Sequence, residues 1–179
     1  MRLIKAEKEH LGYLKGLYRE AFPREERKPF WLIRRKVRQG VMGLWLLEED
    51  GPAGMASAIF AGERVLLDYF AIDARRRGQG LGSRALAELQ GFCQGRTLLL
   101  EIEALETGAQ NYDQRVRRKR FYLKNGMEET GLVCSVFGNR LELLCWNCDT
   151  GIPFEEYREI YRVSLGGLAA RQVRRISQT

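Results

Sequence analysis

Residues 66–86 read LLDYFAIDARRRGQGLGSRAL, and the rest of the chain is interpreted outward from this stretch. The run from Leu66 to Ile72 is apolar and rich in aromatic residues, which is typical of a buried strand. Three arginines follow, then three glycines at alternate positions, then Ser83 and an apolar pattern with helical spacing. A strand, a glycine turn and a helix N-terminus together favour anion binding, because glycine lets a ligand approach the backbone and the first N–H groups of the helix point at it. The stretch therefore predicts a site for a phosphorylated ligand, to which the arginines add positive charge.

Length and composition restrict the class of protein. The chain of 179 residues is 45% hydrophobic and 30% charged, which predicts one globular domain rather than a disordered segment. No apolar run approaches the roughly 20 residues of a membrane helix, and the N-terminus turns charged too soon for a signal peptide. We therefore expect a cytoplasmic protein with no membrane partner. The formal net charge of +7 is compatible with nucleic acid, an anionic surface or a polyanionic ligand, and does not choose among them.

The four cysteines do not predict a metal site. Cys145-Trp146-Asn147-Cys148 has the spacing of a metal or redox pair, but no second ligand pair accompanies it, and His10 is the only histidine. Cysteines of cytosolic proteins are mostly reduced. We therefore expect buried thiols at a strand end, with a zinc or redox role as the alternative.

Hydrophobic periodicity predicts an α/β fold (α+β in some schemes), with a mixed, mostly antiparallel sheet of six or seven strands flanked by helices. A long helix between the fourth and fifth strands makes these two strands parallel. The tail beyond Gly166-Gly167 is predicted to be loose. The predicted strands are Arg2–Ile4, Val41–Leu47, Gly54–Ala61, Arg64–Ile72, Thr97–Glu103, Gly131–Phe137 and Arg140–Trp146. The predicted helices are Glu7–Ala21, Pro29–Gly40, Leu81–Phe92, Asp113–Lys124 and Phe154–Ser164.

Two familiar phosphate motifs fit the glycine turn poorly. A P-loop ends in glycine, lysine and serine or threonine, which Gly82-Ser83-Arg84 does not supply. A dinucleotide fingerprint, G-x-G-x-x-G, begins at Gly78 and Gly80 but has a serine at its third glycine position. Glu101 lies at a suitable distance for that fold, at a strand end. However, antiparallel strands precede the turn here, whereas the fingerprint opens the first strand of a parallel unit.

A third interpretation comes from resemblance. Arg77-Gly78-Gln79-Gly80-Leu81-Gly82 resembles the [QR]-x-x-G-x-[GA] signature of the GNAT family of N-acetyltransferases. Further on, Phe121-Tyr122-Leu123-Lys124-Asn125-Gly126-Met127 is similar to the family's second hallmark, F-Y-x-x-x-G-[FM]. The order of elements is also similar. The resemblance implies a GNAT fold whose fourth and fifth strands splay apart, with residues 1–148 as the acetyltransferase domain and residues 149–179 as an appended helix and tail.

The resemblance implies acetyl-CoA as co-substrate, bound at the turn after the fourth strand. The backbone N–H groups from Arg77 to Ser83 would hold the pyrophosphate, with the Ser83 hydroxyl as a further donor. The strand end would hydrogen-bond the pantetheine arm as an added strand does. The implied cofactor-binding residues are Phe70, Ala71, Ile72, Arg77, Gly78, Gln79, Gly80, Leu81, Gly82, Ser83 and Tyr122, and no metal is implied.

The resemblance also implies catalytic residues. Tyr122 matches the family's tyrosine general acid by position, and a phenol with a pKa near 10 stays protonated and able to donate. The backbone N–H of Phe70 would polarise the thioester carbonyl. The general base would be a carboxylate that acts through water. Asp68, Glu101 and Glu103 are the candidates, and Glu103 is preferred.

Each of these roles has an alternative. The alternative for Tyr122 is that it only packs beneath the cofactor. The alternative for the carboxylates is that they pair with the basic cluster Arg115–Arg120. The chain also departs from the family pattern N-x-x-A-x-x-F-Y, because Arg115 and Arg118 occupy the Asn and Ala positions. Arg117, Arg118 and Lys119 would then either reach the CoA phosphates or form a solvated basic face.

The resemblance also implies that the acceptor amine binds between Phe22–Trp31 and Val133–Leu143. Glu25 and Glu26 would attract a cationic amine, and the Phe and Trp at the end of the first segment would wall an apolar group. The predicted function is transfer of an acetyl group from acetyl-CoA to a primary amine of a small molecule or peptide by direct attack. The alternatives are a non-catalytic module that binds acetyl-CoA and an RNA-binding module. No nucleic acid partner is expected, and a homodimer is left open.

Overall fold

The computed structural model describes residues 1–148 and 151–176, which form a mixed α/β fold with an eight-stranded, mostly antiparallel sheet and flanking helices. The predicted fold class is therefore confirmed. The strands are β1 (Arg2–Lys5), β2 (Met42–Glu48), β3 (Pro52–Ala61), β4 (Arg64–Ile72), β5 (Thr97–Glu103), β6 (Glu128–Val136), β7 (Asn139–Trp146) and β8 (Val173–Arg175). The α-helices are α1 (Leu11–Ala21), α2 (Phe30–Arg38), α3 (Leu81–Phe92), α4 (Tyr112–Lys124), α5 (Phe154–Leu165) and α6 (Gly167–Ala170). Short 3-10 turns lie at Lys8–His10, Arg24–Glu26 and Ala74–Arg76.

Contacts divide the chain into two compact units, the first of which comprises residues 1–60 and 67–94. Its strands follow the order β1-β2-β3-β4, and β2 pairs antiparallel with both β1 and β3. Helix α3 buries Leu81, Ala85, Leu86 and Leu89. This spacing of three or four residues is the pattern that predicted the helix.

The second unit comprises residues 61–66 and the described residues from 95 onward. Strand β7 lies between β5 and β6 and is antiparallel to both, and β8 pairs antiparallel with β6. The first residues of β4 belong to this unit. There the N–H of Thr97 donates to the carbonyl of Glu63 at 3.0 Å, where β5 begins parallel to β4. Strand β4 thus starts in the second unit and continues in the first after Leu66.

The predicted loose tail is wrong for residues 167–176. Helix α6 and strand β8 follow α5, and β8 adds the eighth strand where six or seven were expected. Within β8 only Val173 is buried, so the segment lacks the alternation that predicts a strand. Residues 177–179, and residues 149–150 beside the predicted domain boundary, lie outside the described residues.

The expectation of reduced thiols is wrong for one pair of cysteines. Cys145 and Cys148 are joined by a disulfide at the end of β7. Cys93 and Cys134 are buried thiols, as expected. Within residues 1–148 and 151–176, no group of three or more potential ligand side chains is placed to hold a metal ion.

Candidate functional site

Asp73 fixes the start of the turn that follows β4. Its carboxylate accepts hydrogen bonds from the backbone N–H of Arg75 at 3.0 Å and from the Arg75 guanidinium at 3.0 and 2.6 Å. The Tyr13 hydroxyl of α1 donates to the same carboxylate at 3.4 Å. The hydrogen bonds from Arg75 hold the pKa of Asp73 well below its usual range. Because the N–H of Asp73 donates to the carbonyl of Ala53 at 2.9 Å, the end of β4 is also tied to β3.

Six consecutive backbone N–H groups of the turn are left for a ligand. From Gly78 to Ser83, none donates a hydrogen bond of normal geometry within the described part of the chain. Helix α3 has no side-chain cap, so its first N–H groups and its dipole remain available to an anion. Gly78 and Gly80 have φ angles of 77° and 71°, with nothing within 4 Å of a Cβ built on either. Glycine is favoured at both positions by conformation, and the space beside the backbone is open.

The three arginines of the turn are held in different ways. Arg75 pairs with the carboxylate described above, and Arg76 donates to a backbone carbonyl group in the β2–β3 turn and to that of the first residue of β3. The Nε of Arg77 donates to the carbonyl of Ile72 at 3.2 Å, and its exposed guanidinium makes no ion pair with the described residues. The N–H of Arg77 donates weakly to Ala74 at 3.4 Å. The open set of N–H groups therefore begins at Gly78, one residue later than predicted.

Successive residues at the end of β4 direct their backbone N–H and C=O groups to opposite edges of the strand. Since the N–H of Asp73 points to β3, alternation places the backbone of Ala71 on the same side and those of Phe70 and Ile72 on the opposite side. A Cβ built on Gly54 of β3 would lie 2.4 Å from the carbonyl oxygen of Ala71, which agrees with this assignment. The orientation suits the predicted contacts of Phe70 and Ile72 with an added extended ligand. The backbone of Ala71 is directed to β3 instead.

A second carboxylate of β4, that of Asp68, lies buried beside Lys28. Its side chain is 6% exposed, and Oδ1 accepts from the Lys28 ammonium at 2.6 Å. Oδ2 is buried and has no hydrogen-bond partner among the described residues. The Tyr18 hydroxyl donates to the carbonyl of Lys28, and the Lys28 N–H donates to the Tyr69 hydroxyl, both at 3.1 Å. Since a buried polar atom without a partner costs about 1–3 kcal/mol, Oδ2 is a candidate contact for a ligand.

The predicted acceptor segment Phe22–Trp31 joins α1 to α2 in the first unit. Phe30 packs on Tyr18 with ring centroids 5.8 Å apart, whereas Trp31 is 63% exposed. Glu25 and Glu26 are both exposed. The carbonyl of Glu26 accepts from the Tyr69 hydroxyl of β4 at 2.9 Å, so the connector is attached to the strand that carries Asp68.

In the second unit, Glu103 is tied to the region of α4. Its carboxylate accepts from the side-chain amide of Asn111 at 3.0 and 3.2 Å and from the Arg118 guanidinium at 3.0 Å. Arg115 lies 3.1 Å from the same carboxylate. Glu103 is therefore paired with the basic cluster, as the alternative interpretation of the carboxylates expected. Its predicted role as general base stays a prediction, with few lone pairs left for a substrate.

Glu101 is sequestered as well. It accepts hydrogen bonds from the hydroxyl groups of Tyr157 and Tyr161 on α5. Burial, together with the negative charge of Glu101, raises the pKa of Tyr157 well above its ordinary value. These contacts assign Glu101 to the packing of α5.

The basic face of α4 is largely paired. Arg118 binds Glu103, and Lys119 binds Glu129 and Glu142. Burial by itself would lower the pKa of Lys119, but the hydrogen bonds to these carboxylates raise it overall. Arg117 and Arg120 are exposed and have no ion-pair partner among the residues described, so these two members of the predicted cluster are left for a solvent-borne anion.

Tyr122 lies in the last turns of α4, half-buried beside Phe121 with ring centroids 5.1 Å apart. Burial raises the pKa of Tyr122 to about 12, and the charge of Arg118 opposes that rise. Its hydroxyl has no hydrogen-bond partner within residues 1–148 and 151–176. The phenol is therefore a protonated donor at neutral pH whose hydrogen bond is not already used.

The contacts of Asp73 and the Lys28–Asp68 ion pair were not identified from the sequence. Asp73 directly follows a strand and precedes three arginines, so its role as the cap of the turn was signalled by an N-cap pattern. The Lys28–Asp68 pair joins positions 40 apart in the sequence, and no local pattern signals such a contact.

The sequence of the chain matches one known protein family. The family model described as Acetyltransferase (GNAT) family matches residues 11–127. A comparison with curated protein sequences gives no significant match. Among the described residues, no helix combines the length and the apolar character needed to cross a membrane.

Solved structures with similar folds carry acetyltransferase names. A protein of Bacteroides thetaiotaomicron, described as an acetyltransferase of the GNAT family, has a TM-score of 0.77 at 21% identity, over 93% of this chain and 99% of its own. Spermidine N-acetyltransferase of Vibrio cholerae, solved with CoA and spermine, has a TM-score of 0.64 at 11% identity, over 80% and 93%. Aminoglycoside 6'-N-acetyltransferase of Enterococcus faecium has a TM-score of 0.59 at 18% identity, over 82% and 96%. At these identities the likeness is one of fold.

Proposed function

The chain belongs to the GNAT acetyltransferase family, and on that premise we propose that it transfers an acetyl group from acetyl-CoA to a primary amine by direct attack. The proposal includes a cytoplasmic location. The observation that carries it is the run of six unpaired N–H groups from Gly78 to Ser83 at the uncapped start of α3. The similar structure solved with CoA supports the choice of a CoA ester as the ligand.

The turn residues would hold the pyrophosphate of acetyl-CoA. Backbone N–H groups and a helix dipole stabilise a diphosphate without a metal ion. The Ser83 hydroxyl, which is half-buried at the start of α3, adds a donor. The exposed guanidinium of Arg77 adds positive charge at the same turn. Phe70 and Ile72, directed away from β3, would hydrogen-bond the pantetheine arm.

Three residues would carry out the chemistry. As the amine nitrogen bonds to the thioester carbon, the N–H of Phe70 stabilises the oxyanion that forms. As the carbon–sulfur bond breaks, Tyr122 donates its proton to the CoA thiolate and regains one from solvent. The proton lost by the amine passes to a carboxylate and then to solvent. Because Glu103 is held by three side chains, we infer that Asp68, with its unpartnered Oδ2, is the better candidate for this carboxylate.

A thiol-release screen tests the proposed function. The protein is mixed with acetyl-CoA and a library of primary amines, and free CoA thiol is measured against time. We expect amine-dependent release for at least one class of amine, with a matching N-acetylated product by mass spectrometry. Binding of acetyl-CoA with no release from any amine would instead identify a non-catalytic acetyl-CoA-binding protein.

A further inference from the structure

A pocket of about 690 Å³ opens in the first unit along α1, the connector and the start of α2. Pockets of roughly 300–1,000 Å³ suit a small molecule or a short peptide segment. Its lining includes the connector that was assigned to the acceptor amine, from Arg27 to Trp31. The pocket is therefore a candidate site for the acceptor.

The charged lining of this pocket is entirely basic. None of the described residues that line it is Asp or Glu. Glu25 and Glu26, which were expected to attract a cation, are exposed and lie outside the lining. The basic residues of the lining are Lys15, Arg19, Arg24, Arg27, Lys28 and Arg34.

Only part of this positive charge is neutralised by the protein. Lys28 is paired with Asp68, and Arg27 donates to the backbone carbonyl of Arg19 at 3.3 Å. The other basic side chains form no ion pair with the part of the chain that the structure describes. Cations gathered along a concave surface produce a local positive potential that concentrates anions. The side chains without an ion pair are Lys15, Arg19, Arg24, Arg27 and Arg34.

We infer that the acceptor is a primary amine that also bears a carboxylate or phosphate group. The inference rests on the proposed function and specifies the substrate class of the same site. The anionic group would contact the unpaired cations, whereas the amine would approach Asp68, whose Oδ1 binds the lining residue Lys28. The unpaired cations of the pocket thus favour a negative charge at one end of the acceptor, and the buried carboxylate of Asp68 favours the amine at the other end.

The unpaired cations disfavour a polycationic acceptor. Spermine and aminoglycosides, which occur in the names of structures with similar folds, carry several amino groups. Each of these would add positive charge beside side chains that already repel one another. Selection here therefore acts against such amines as well as in favour of anionic ones.

Matched amines of different charge test this inference. Thiol release from acetyl-CoA is measured with O-phosphoethanolamine and ethanolamine, with the peptides Ala-Glu-Glu, Ala-Gln-Gln and Ala-Lys-Lys, and with spermidine. We expect kcat/KM for the anionic amine of a series to exceed that of its neutral counterpart at least about tenfold, with cationic amines lowest. The preference should shrink when salt is raised from about 0.05 to about 0.3 M. Comparison of the phosphate and carboxylate series identifies which anion is used.

A pair of charge reversals on α2 tests whether the preference for anionic amines arises in this pocket. Arg34 lines the pocket, and the neighbouring Arg35 does not, although both are exposed. Arg34→Glu should lower kcat/KM for the preferred anionic amine at least about fivefold more than it lowers that for ethanolamine. Arg35→Glu, with the same change of charge, should leave both within about twofold.

The outcomes separate this inference from the proposed function. Turnover that is equal or faster with spermidine or Ala-Lys-Lys would overturn the inference alone. The same holds if Arg34→Glu and Arg35→Glu have equal effects. Bound acetyl-CoA with no thiol release from any amine would contradict the proposed catalysis and, with it, the inference.

Discussion

Tyr122 is the side chain on which the proposed reaction depends most. A general acid must hold its proton until the CoA thiolate leaves, and burial raises the pKa of Tyr122 to about 12. Its hydroxyl has no partner among the described residues, so no competing hydrogen bond has to break first. The position was predicted from its place in a sequence motif. The depth of burial that sets its pKa depends on packing that the motif does not encode.

Tyr122→Phe should lower kcat at least about tenfold, as expected for loss of a general acid. The Kd of acetyl-CoA should stay within about threefold, because the ring that remains keeps its packing on Phe121. The wild-type rate should show no alkaline loss attributable to Tyr122 below about pH 11, since the phenol is protonated there. Steady-state kinetics from pH 6 to 10 and calorimetry provide these values. An unchanged kcat would remove Tyr122 from the mechanism.

Two isosteric substitutions decide which carboxylate accepts the amine proton. Asp68→Asn should lower kcat at least about tenfold, because the amide at the unpartnered oxygen position does not accept a proton. Glu103→Gln should mainly lower the melting temperature, because Glu103 binds two arginines. Initial rates and thermal unfolding of both variants are compared. The reverse pattern would restore Glu103 as the base and exclude Asp68.

At the scale of elements, the turn after β4 is organised by Asp73. Its hydrogen bonds from Arg75 lower its pKa in the folded state. The stabilisation is therefore complete above the unfolded-state pKa near 4, and is lost as the pH falls through the folded-state pKa. Asp73→Asn should lower the free energy of unfolding at pH 7, and its difference from wild type should shrink below about pH 4. Denaturant unfolding at several pH values tests this.

Asp50→Asn, in the exposed β2–β3 turn, is the control for replacing a carboxylate by an amide. A difference between wild type and Asp73→Asn that stays constant from pH 7 to pH 3 would contradict the assigned role of Asp73.

The position of β4 also depends on a glycine of β3. A Cβ at Gly54 would lie 2.4 Å from the carbonyl oxygen of Ala71, a backbone atom. Gly54→Ala should therefore destabilise the protein by about 1–3 kcal/mol. Gly16→Ala in α1, where nothing lies within 4 Å, should stabilise it by about 0.4–1 kcal/mol. Urea unfolding compares the two, and equal effects would rule out a close approach of β3 and β4 at Gly54.

The elements differ in how well local sequence predicts them. The bounds of β4 and β5 match the prediction, because each is an apolar run delimited by turn residues. Strand β8 was missed, because it pairs with β6 through backbone hydrogen bonds that its own three residues do not signal. Arg117, Arg118 and Lys119 of α4 were considered for CoA phosphates. The pairing of Arg118 with Glu103, and of Lys119 with Glu129 and Glu142, is set by tertiary contacts.

At the scale of the whole molecule, the structure shows where the positive residues behind the net charge of +7 lie, which composition alone does not. Part of the positive charge is paired along α4, and part lies unpaired in the pocket of the first unit. The sequence predicted a phosphorylated ligand from the glycine turn. It predicted the opposite charge for the acceptor, because Glu25 and Glu26 stand out in the connector, whereas helical spacing brings the cations of α1 and α2 into one lining. The division into residues 1–148 and 149–179, and a homodimer, stay predictions.

Acetyl-CoA binding by two glycine variants tests the central claim most directly. Gly80 and Gly40 have φ angles of 71° and 72° and equally open surroundings, so a glutamate at either imposes the same backbone strain. Only Gly80 lies in the turn whose N–H groups would hold the pyrophosphate. Isothermal titration with acetyl-CoA should give a Kd in the micromolar range for wild type and Gly40→Glu, and a Kd at least about a hundredfold weaker for Gly80→Glu. Undiminished binding by Gly80→Glu, or no binding by wild type, would contradict the account.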